Sequence, residues 1–435
     1  MVFHIFAYVS IAIVVFLLFL ILFEPSLPYS ASPIDCELSS NHFICLLSAV
    51  SDAQLHERSS VEPFVGGEAF YEAELEAIRS AQQSIHLEAF IFHPSPIGDR
   101  FLDALSERAK AGVDVRLVID WVGSLPTPNR YFDGLRKAGG KVSWYQPLRW
   151  YTFKRFNNRT HRELLVVDGK IGFIGGAGIA SHWLGGDKGK PPWRDMMCRV
   201  RGELVIGLQS CFAENWLETT GQILDVSREF PGCGCEEPDS AQKVQSDDSQ
   251  PARGMVVIST PSAARSSRAR VLFQVLMASA RKTVYINSPY FLPDRAARRQ
   301  MIKSVREGGV RVVVVAPNNY NNHYIARTAS RRVYGQLIRA GVEIHEYQPS
   351  MIHKKAMVVD GEWSVIGSTN FDHRSFGLND EVNLAAYDPT LAQSLERDFQ
   401  YELSQSQRIT YEAWKHRPLH EKLFSFVGLL LQRQS

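Results

Sequence analysis

From Ile352 to Ser375 the chain reads I-H-K-K-A-M-V-V-D-G-E-W-S-V-I-G-S-T-N-F-D-H-R-S. Alternation along an extended chain sets His353 and Lys355 on one side, next to each other. The apolar run Ala356 to Val359 then breaks at Asp360-Gly361, and a second run, Trp363 to Ile366, delivers Gly367, Ser368 and Asn370. These are small or polar groups that can approach an anion closely. Imidazole, ammonium, hydroxyl and amide converging on one spot suit the holding and attack of a phosphoryl group.

A second copy lies upstream. From His161 to Ile179 the chain reads H-R-E-L-L-V-V-D-G-K-I-G-F-I-G-G-A-G-I, with His161, Asp168, Gly175 and Gly176 in matching places. Two positions depart: Glu163 stands where Lys355 has its ammonium, and Gly178 where Asn370 has its amide. The pattern H-x-K-x4-D-G followed by G-S-x-N resembles the signature of the phospholipase D superfamily. One such histidine is compatible with an incidental buried strand; two, each in its own strand-turn-strand context, point to the family.

Outward from the two motifs, the same order of elements recurs. Helix 67–81, strand 84–92, helix 97–111 and strand 113–120 are expected in the first half. Helix 267–280, strand 283–289, helix 294–307 and strand 310–316 are expected in the second. Each half then carries an amphipathic helix, 131–138 and 333–340, and a strand ending in Tyr-Gln-Pro, at 145–147 and 347–349. Alternating strands and helices predict an α/β fold with a mixed sheet in each of two duplicated lobes. The boundaries expected are a first lobe over 64–230, a polar linker over 231–253 and a second lobe over 254–415.

With 435 residues the chain has room for two domains or one two-lobed unit. Its 48 Lys and Arg against 46 Asp and Glu give a net charge of +2. So small an excess, with one local cluster at Arg265, Arg268 and Arg270, argues against a nucleic-acid partner. The N-terminus is different. Residues 2–23 are apolar apart from His4, Tyr8 and Ser10, a length that predicts an uncleaved transmembrane helix. Residues 24–63 then read as a membrane-proximal linker with one apolar patch, 42–50. No Lys or Arg follows the apolar stretch until Arg58, which favours export of the remainder. Cys36, Cys45, Cys233 and Cys235 occupy places that suit disulfides in an oxidising compartment. At the other end, residues 416–435 read either as a core helix of the second lobe or as an amphipathic helix in lipid headgroups. The run W-K-H-R-P-L with its Leu-rich tail resembles bacterial cardiolipin synthases.

The resemblance implies a pseudo-twofold packing of the lobes that brings both motifs into one cleft. It also implies a covalent route without metal or cofactor: one histidine attacks phosphorus, the other protonates the leaving alcohol and then activates the incoming one. By that resemblance His161 attacks and His353 serves as acid and base, with Lys355, Asp168 and Asp360 in the catalytic set. Asp195 is expected to orient His161 and Glu381 to orient His353, while Ser368, Asn370, Glu163, Gly175 and Gly176 face substrate. The implied reaction moves a phosphatidyl group between two phosphatidylglycerols at a bacterial inner membrane, with the catalytic part on its outer side. Water as acceptor would make the same site a phospholipase D, and a charge-altered half-site could leave a weakly active lipid binder. Glu163 is the awkward residue. A carboxylate beside a phosphate is repelled unless it pairs with Arg159, Arg162 or Arg194, turns away, or meets a substrate hydroxyl.

Overall fold

The structure, a computed structural model, describes residues 2–22, 29–150, 157–185, 189–231, 251–261, 267–320, 324–419 and 421–422. The first part of the chain runs α1 (Val2–Leu22), α2 (Asn41–Ser51), β1 (His56–Val65), α3 (Gly67–Ser80), β2 (Ser84–Ala89), α4 (Pro96–Lys110) and β3 (Asp114–Asp120). It continues through α5 (Asp133–Lys137), β4 (Lys141–Tyr145), β5 (Leu164–Val167), β6 (Ile171–Gly175), β7 (Met196–Gly202), α6 (Leu204–Thr220) and α7 (Val226–Glu229). The second part runs β8 (Ala252–Ser259), α8 (Arg268–Ser279), β9 (Thr283–Asn287), α9 (Arg295–Arg306), β10 (Arg311–Pro317), α10 (Tyr324–Ala340) and β11 (Glu343–Tyr347). It ends with β12 (Ala356–Val359), β13 (Trp363–Gly367), β14 (Glu381–Tyr387), α11 (Pro389–Ser404), β15 (Ser406–Arg408) and α12 (Tyr411–Lys415).

All strands join one 15-stranded sheet in the order β15-β11-β10-β9-β12-β13-β14-β8-β1-β7-β6-β5-β2-β3-β4. Read outward from the central β8 and β1, the two sides have the same strand order, except that β15 adds an antiparallel edge strand beyond β11. Each side carries a parallel run, β2-β3-β4 and β9-β10-β11, with antiparallel strands inside it, so the sheet is mixed as expected. One hydrophobic core lies within each half. A third, in the middle, draws Val166, Ile174 and Phe212 from the first half and Val358, Leu384 and Phe399 from the second. Apolar burial therefore continues across the junction between the halves and holds them together.

Several expectations change. The segment taken as linker, 24–63, is largely folded: β1 pairs with both β7 and β8 at the centre of the sheet. Phe43, Ile44 and Leu47 of α2 enter the core of the second half, where Phe43 meets Trp363 edge-on. The anchor expected over 2–23 coincides with α1, whose side chains are described over residues 4–16. Among the described residues no helix is long and apolar enough to cross a membrane. Cys36 and Cys45 are free thiols, whereas Cys233 and Cys235 lie outside the described residues, as do most of the 231–253 linker and of the 416–435 tail.

Asp168 and Asp360, expected in the catalytic set, belong to the fold. Each begins the tight turn after its strand with positive φ, 53° and 55°, and is followed by a glycine at φ 61° and 69°. The carboxylate of Asp168 accepts the backbone N–H groups of Gln82, Gln83 and Ser84; that of Asp360 accepts those of Arg281, Lys282 and Thr283. Both turns thus fasten the start of the neighbouring strand, β2 or β9. Seven residues of extended chain carry each aspartate about 20 Å from its histidine. Replacing Asp360 by alanine is expected to cost about 3 kcal/mol of stability by stranding these donors, with kcat retained. Denaturant unfolding beside steady-state kinetics checks it, and a large loss of kcat in the folded variant would return Asp360 to the site.

Candidate active site

Both histidines lie on segments that approach β5 and β12 from the junction of the halves. There the chain crosses. Arg194 N–H donates to the carbonyl of Met351 at 2.8 Å, and His353 N–H to that of Arg194 at 2.7 Å. Likewise His161 N–H donates to the carbonyl of Asp380 at 2.9 Å, and Asp380 N–H to that of Arg159 at 2.8 Å. Each histidine segment is thus clamped, main chain to main chain, by the segment of the opposite half that precedes an acidic side chain.

This crossing corrects the expected pairs. His353 Nδ1 lies 2.8 Å from Asp195 Oδ2, and His161 Nδ1 lies 3.1 Å from Glu381 Oε2. Each imidazole is oriented by the other half's carboxylate, which fixes Nδ1 as the protonated nitrogen when the ring is neutral. The carboxylates are themselves held. Asp195 also accepts from Trp183 Nε1 at 3.0 Å and from Met196 N–H at 2.8 Å; Glu381 accepts from Ser368 Oγ at 2.5 Å and Asn379 Nδ2 at 3.3 Å. Ser368, expected to face substrate, therefore supports Glu381.

Lys355 reaches across the junction. Its Nζ donates to the carbonyl of Gly176 in the first half at 3.2 Å and lies 2.8 Å from Nδ1 and 3.1 Å from Nε2 of His353. A Cβ at residue 176 would stand 2.7 Å from Lys355 Cδ, so only glycine leaves room for this side chain. Gly175 is a packing residue, since a Cβ there would meet the Met196 carbonyl oxygen at 2.3 Å. Burial pushes the Lys355 ammonium down to about 8, against the pull of Asp195, Glu163 and Glu381. Burial, followed by the Lys355 charge, pushes His353 down to about 4 despite Asp195, and the field of His161 adds to the effect. Burial opposes ionisation of Asp195 too, yet the His353 hydrogen bond and the Lys355 charge hold it below the usual carboxylate range. His353 is therefore neutral across the neutral pH range, with Nε2 as its unprotonated nitrogen.

Glu163 does not take the first of the three routes, because the arginines are engaged elsewhere. Arg159 lies 3.6 Å from Asp120, Arg162 binds Glu214, and Arg194 binds Asp398 and Glu402. Glu163 Oε1 instead accepts from the backbone amides of Phe90 and Ile91, at 3.2 and 3.4 Å. Asn370 is buried, and its Oδ1 has no hydrogen-bond partner among the described residues.

Other groups belong to the site without having been expected there. Trp193 and Trp183 flank the His353 ring, with centroids 5.1 and 5.7 Å away, and Phe90 meets His161 edge-on at 5.1 Å. Asp372 is pushed up to about 7, by burial first and by Glu381, while the His161 charge opposes the shift. Trp193 stands two residues before Asp195, and Asp372 lies inside the motif stretch, so both were within sight of the expected residues. Behind each histidine segment an acid and an amide pair, with their places exchanged. In the first half Asn215 on α6 donates to Glu88 on β2 at 2.6 Å; in the second Asn287 on β9 donates to Glu402 on α11 at 2.9 Å. Among the described residues no cluster of three or more His, Cys, Asp or Glu side chains is arranged to hold a metal ion.

The sequence has known relatives. A family model described as "Cardiolipin synthase, PLD-like domain" matches the chain twice, over residues 75–183 and 274–403. The cardiolipin synthase of Alkalihalophilus pseudofirmus is 32% identical over 86% of this chain and 72% of its own length. The chain belongs to the cardiolipin synthase family of phospholipase D-like enzymes. Within that family, cardiolipin synthase 1 of Staphylococcus epidermidis is 34% identical over 91% of this chain and 78% of its own length. The fold is also that of the crystal structure of phosphatidylserine synthase from Haemophilus influenzae, with a TM-score of 0.67 at 18% identity, covering 89% of this chain and 98% of that one. Both family-model matches contain one histidine motif each, so each half of this cardiolipin synthase relative supplies one imidazole.

Proposed function

We propose that the chain is a phosphatidyltransferase that joins two phosphatidylglycerols into cardiolipin and glycerol through a phosphohistidine intermediate. One observation carries the chemistry: two imidazoles, each seated on the other half's carboxylate, with the buried Lys355 ammonium reaching from one half to the other. A ring kept neutral cannot supply the leaving group's proton, so the roles implied by the resemblance are reversed here. His353 Nε2 attacks phosphorus, the bond from phosphorus to the glycerol oxygen breaks, and protonated His161 gives that oxygen its proton. His161 then takes the proton of the second phosphatidylglycerol's terminal hydroxyl, whose oxygen attacks phosphorus and breaks the bond to His353. Lys355 swings from the His353 ring to a phosphoryl oxygen as charge builds there.

Lipid as substrate is supported by the relatives' names and by α1, on which Ile5, Phe6, Tyr8 and Val9 are all at least half exposed. We assign this apolar helix to attachment at a bacterial inner membrane, and the repeated strand order to two duplicated lobes over 64–230 and 254–415. Phosphatidylglycerol with a labelled headgroup tests the reading: labelled glycerol and cardiolipin should appear together. Phosphatidic acid as sole lipid product would make water the acceptor and remove the synthase assignment. Enzyme quenched in alkaline denaturant, which spares the acid-labile phosphorus–nitrogen bond, should carry label from labelled phosphate on the peptide of His353, and label on the peptide of His161 would restore the opposite roles.

A further inference from the structure

Two residues after each histidine the halves differ most: Lys355 in the second, Glu163 in the first. Glu163 is only 5% exposed. A Cβ at residue 178 would stand 2.9 Å from its Oε1 and 2.6 Å from the Ile91 carbonyl oxygen, so Glu163 lies in space that exists because residue 178 is glycine. The two departures from the motif are thus one arrangement. The charged and titratable groups facing Glu163 are Lys355 from the second half and Glu74 and Tyr71 from α3. Tyr71 is already engaged, donating to the carbonyl of Gly178 at 2.6 Å. Among the described residues Glu163 has no ion-pair partner. Burial, with Glu74 adding to it, raises its carboxyl well above the usual range, against the amides and Lys355. Oε1 is occupied by two amides, so the oxygen on which this carboxyl would carry a proton and donate is Oε2.

We propose that Glu163 is a catalytic residue that donates a hydrogen bond, as an uncharged acid, to a non-bridging phosphoryl oxygen, filling in the first half the place that Lys355 fills in the second. The idea rests on the proposed phosphoryl chemistry of this site and not on lipid being its substrate. A neutral donor does in this position what a carboxylate could not, because an ionised Glu163 would repel the phosphoryl oxygens. It also stabilises their growing charge less than a second ammonium would, leaving Lys355 as the cleft's principal positive charge.

The test uses the full chain in detergent micelles, with tungstate as a phosphoryl-like probe. Wild-type protein should show an infrared band of a protonated carboxyl that shifts when tungstate binds, and Glu163→Gln should lose that shift. Because the amide keeps both an acceptor and a donor, Glu163→Gln should lose less tungstate affinity and less turnover than Glu163→Ala, which should lose about 10²-fold in turnover. Equal behaviour of Glu163→Ala and wild type would overturn the proposal, as would a Gln variant as impaired as the Ala variant, or a Glu163→Lys variant faster than wild type. Should the Ala variant fail to fold, the infrared shift and its absence in Glu163→Gln decide alone. Tungstate binding with the shift but without any phosphatidyl transfer or hydrolysis would sink the lipid reading and leave this one standing. Transfer that is indifferent to Glu163→Ala does the reverse.

Discussion

Asp195→Asn is expected to lower kcat by about 10³- to 10⁴-fold with little change in KM. The reason is geometric. Asp195 accepts from His353 Nδ1 at 2.8 Å while its other oxygen is fixed by the Met196 amide, so the ring's Nδ1–H points inward and Nε2 is the unprotonated nitrogen. An asparagine can present its NH₂ to Nδ1, which favours the opposite tautomer and puts a hydrogen on the nitrogen meant to attack phosphorus. Glu381→Gln should act on the other ring, His161, by the same route. Histidine ¹⁵N spectra separate the two: Asp195→Asn should move the His353 resonances and spare those of His161, and Glu381→Gln the converse. Spectra in which Asp195→Asn moves His161 instead would mean that each half serves its own histidine and that the crossed arrangement is wrong.

That crossing marks the limit of what the sequence discloses. The two motifs, the repeated order of elements and the mixed sheet are local or periodic features, and periodicity is written along the chain. His161, His353, Lys355, Asp195 and Glu381 were all nameable, because each sits in a repeated context. Which acid meets which ring depends on how one half docks on the other, through the exchange of backbone hydrogen bonds between 159–161 and 380 and between 351–353 and 194. No spacing within a half encodes that. Asp168 and Asp360 misled for a different reason: they recur with the histidines because the same turn recurs, and a turn aspartate that binds three amides repeats as faithfully as a catalytic one. Residues 56–65 were hidden by composition. Their strand alternates polar and apolar side chains only weakly, and its place between β7 and β8 is set by partners more than a hundred residues away.

Lys355→Met is expected to lower kcat by about 10²- to 10³-fold, since in the proposed reaction it removes the ammonium that meets the phosphoryl oxygens. The accompanying change in pH dependence is the sharper part of this expectation. Burial holds Lys355 at about 8, so its charge is complete below that pH and lost above it. Wild-type turnover should therefore fall as pH rises through about 8. Burial, followed by the same ammonium, holds His353 down at about 4. Protonated His353 cannot attack, so turnover also falls as pH drops through its pKa. Removing the ammonium should abolish the fall near 8 and move the acid limb upward, because the repulsion that kept the proton off His353 is gone. Glu163 would contribute its own alkaline loss by ionising, and the Lys355→Met/Glu163→Gln double variant separates the two: any alkaline fall that persists in Lys355→Met and vanishes in the double variant belongs to Glu163. A Lys355→Met enzyme with the acid limb of wild type would mean that the ammonium does not act on His353 in solution. Burial alone would then keep His353 neutral.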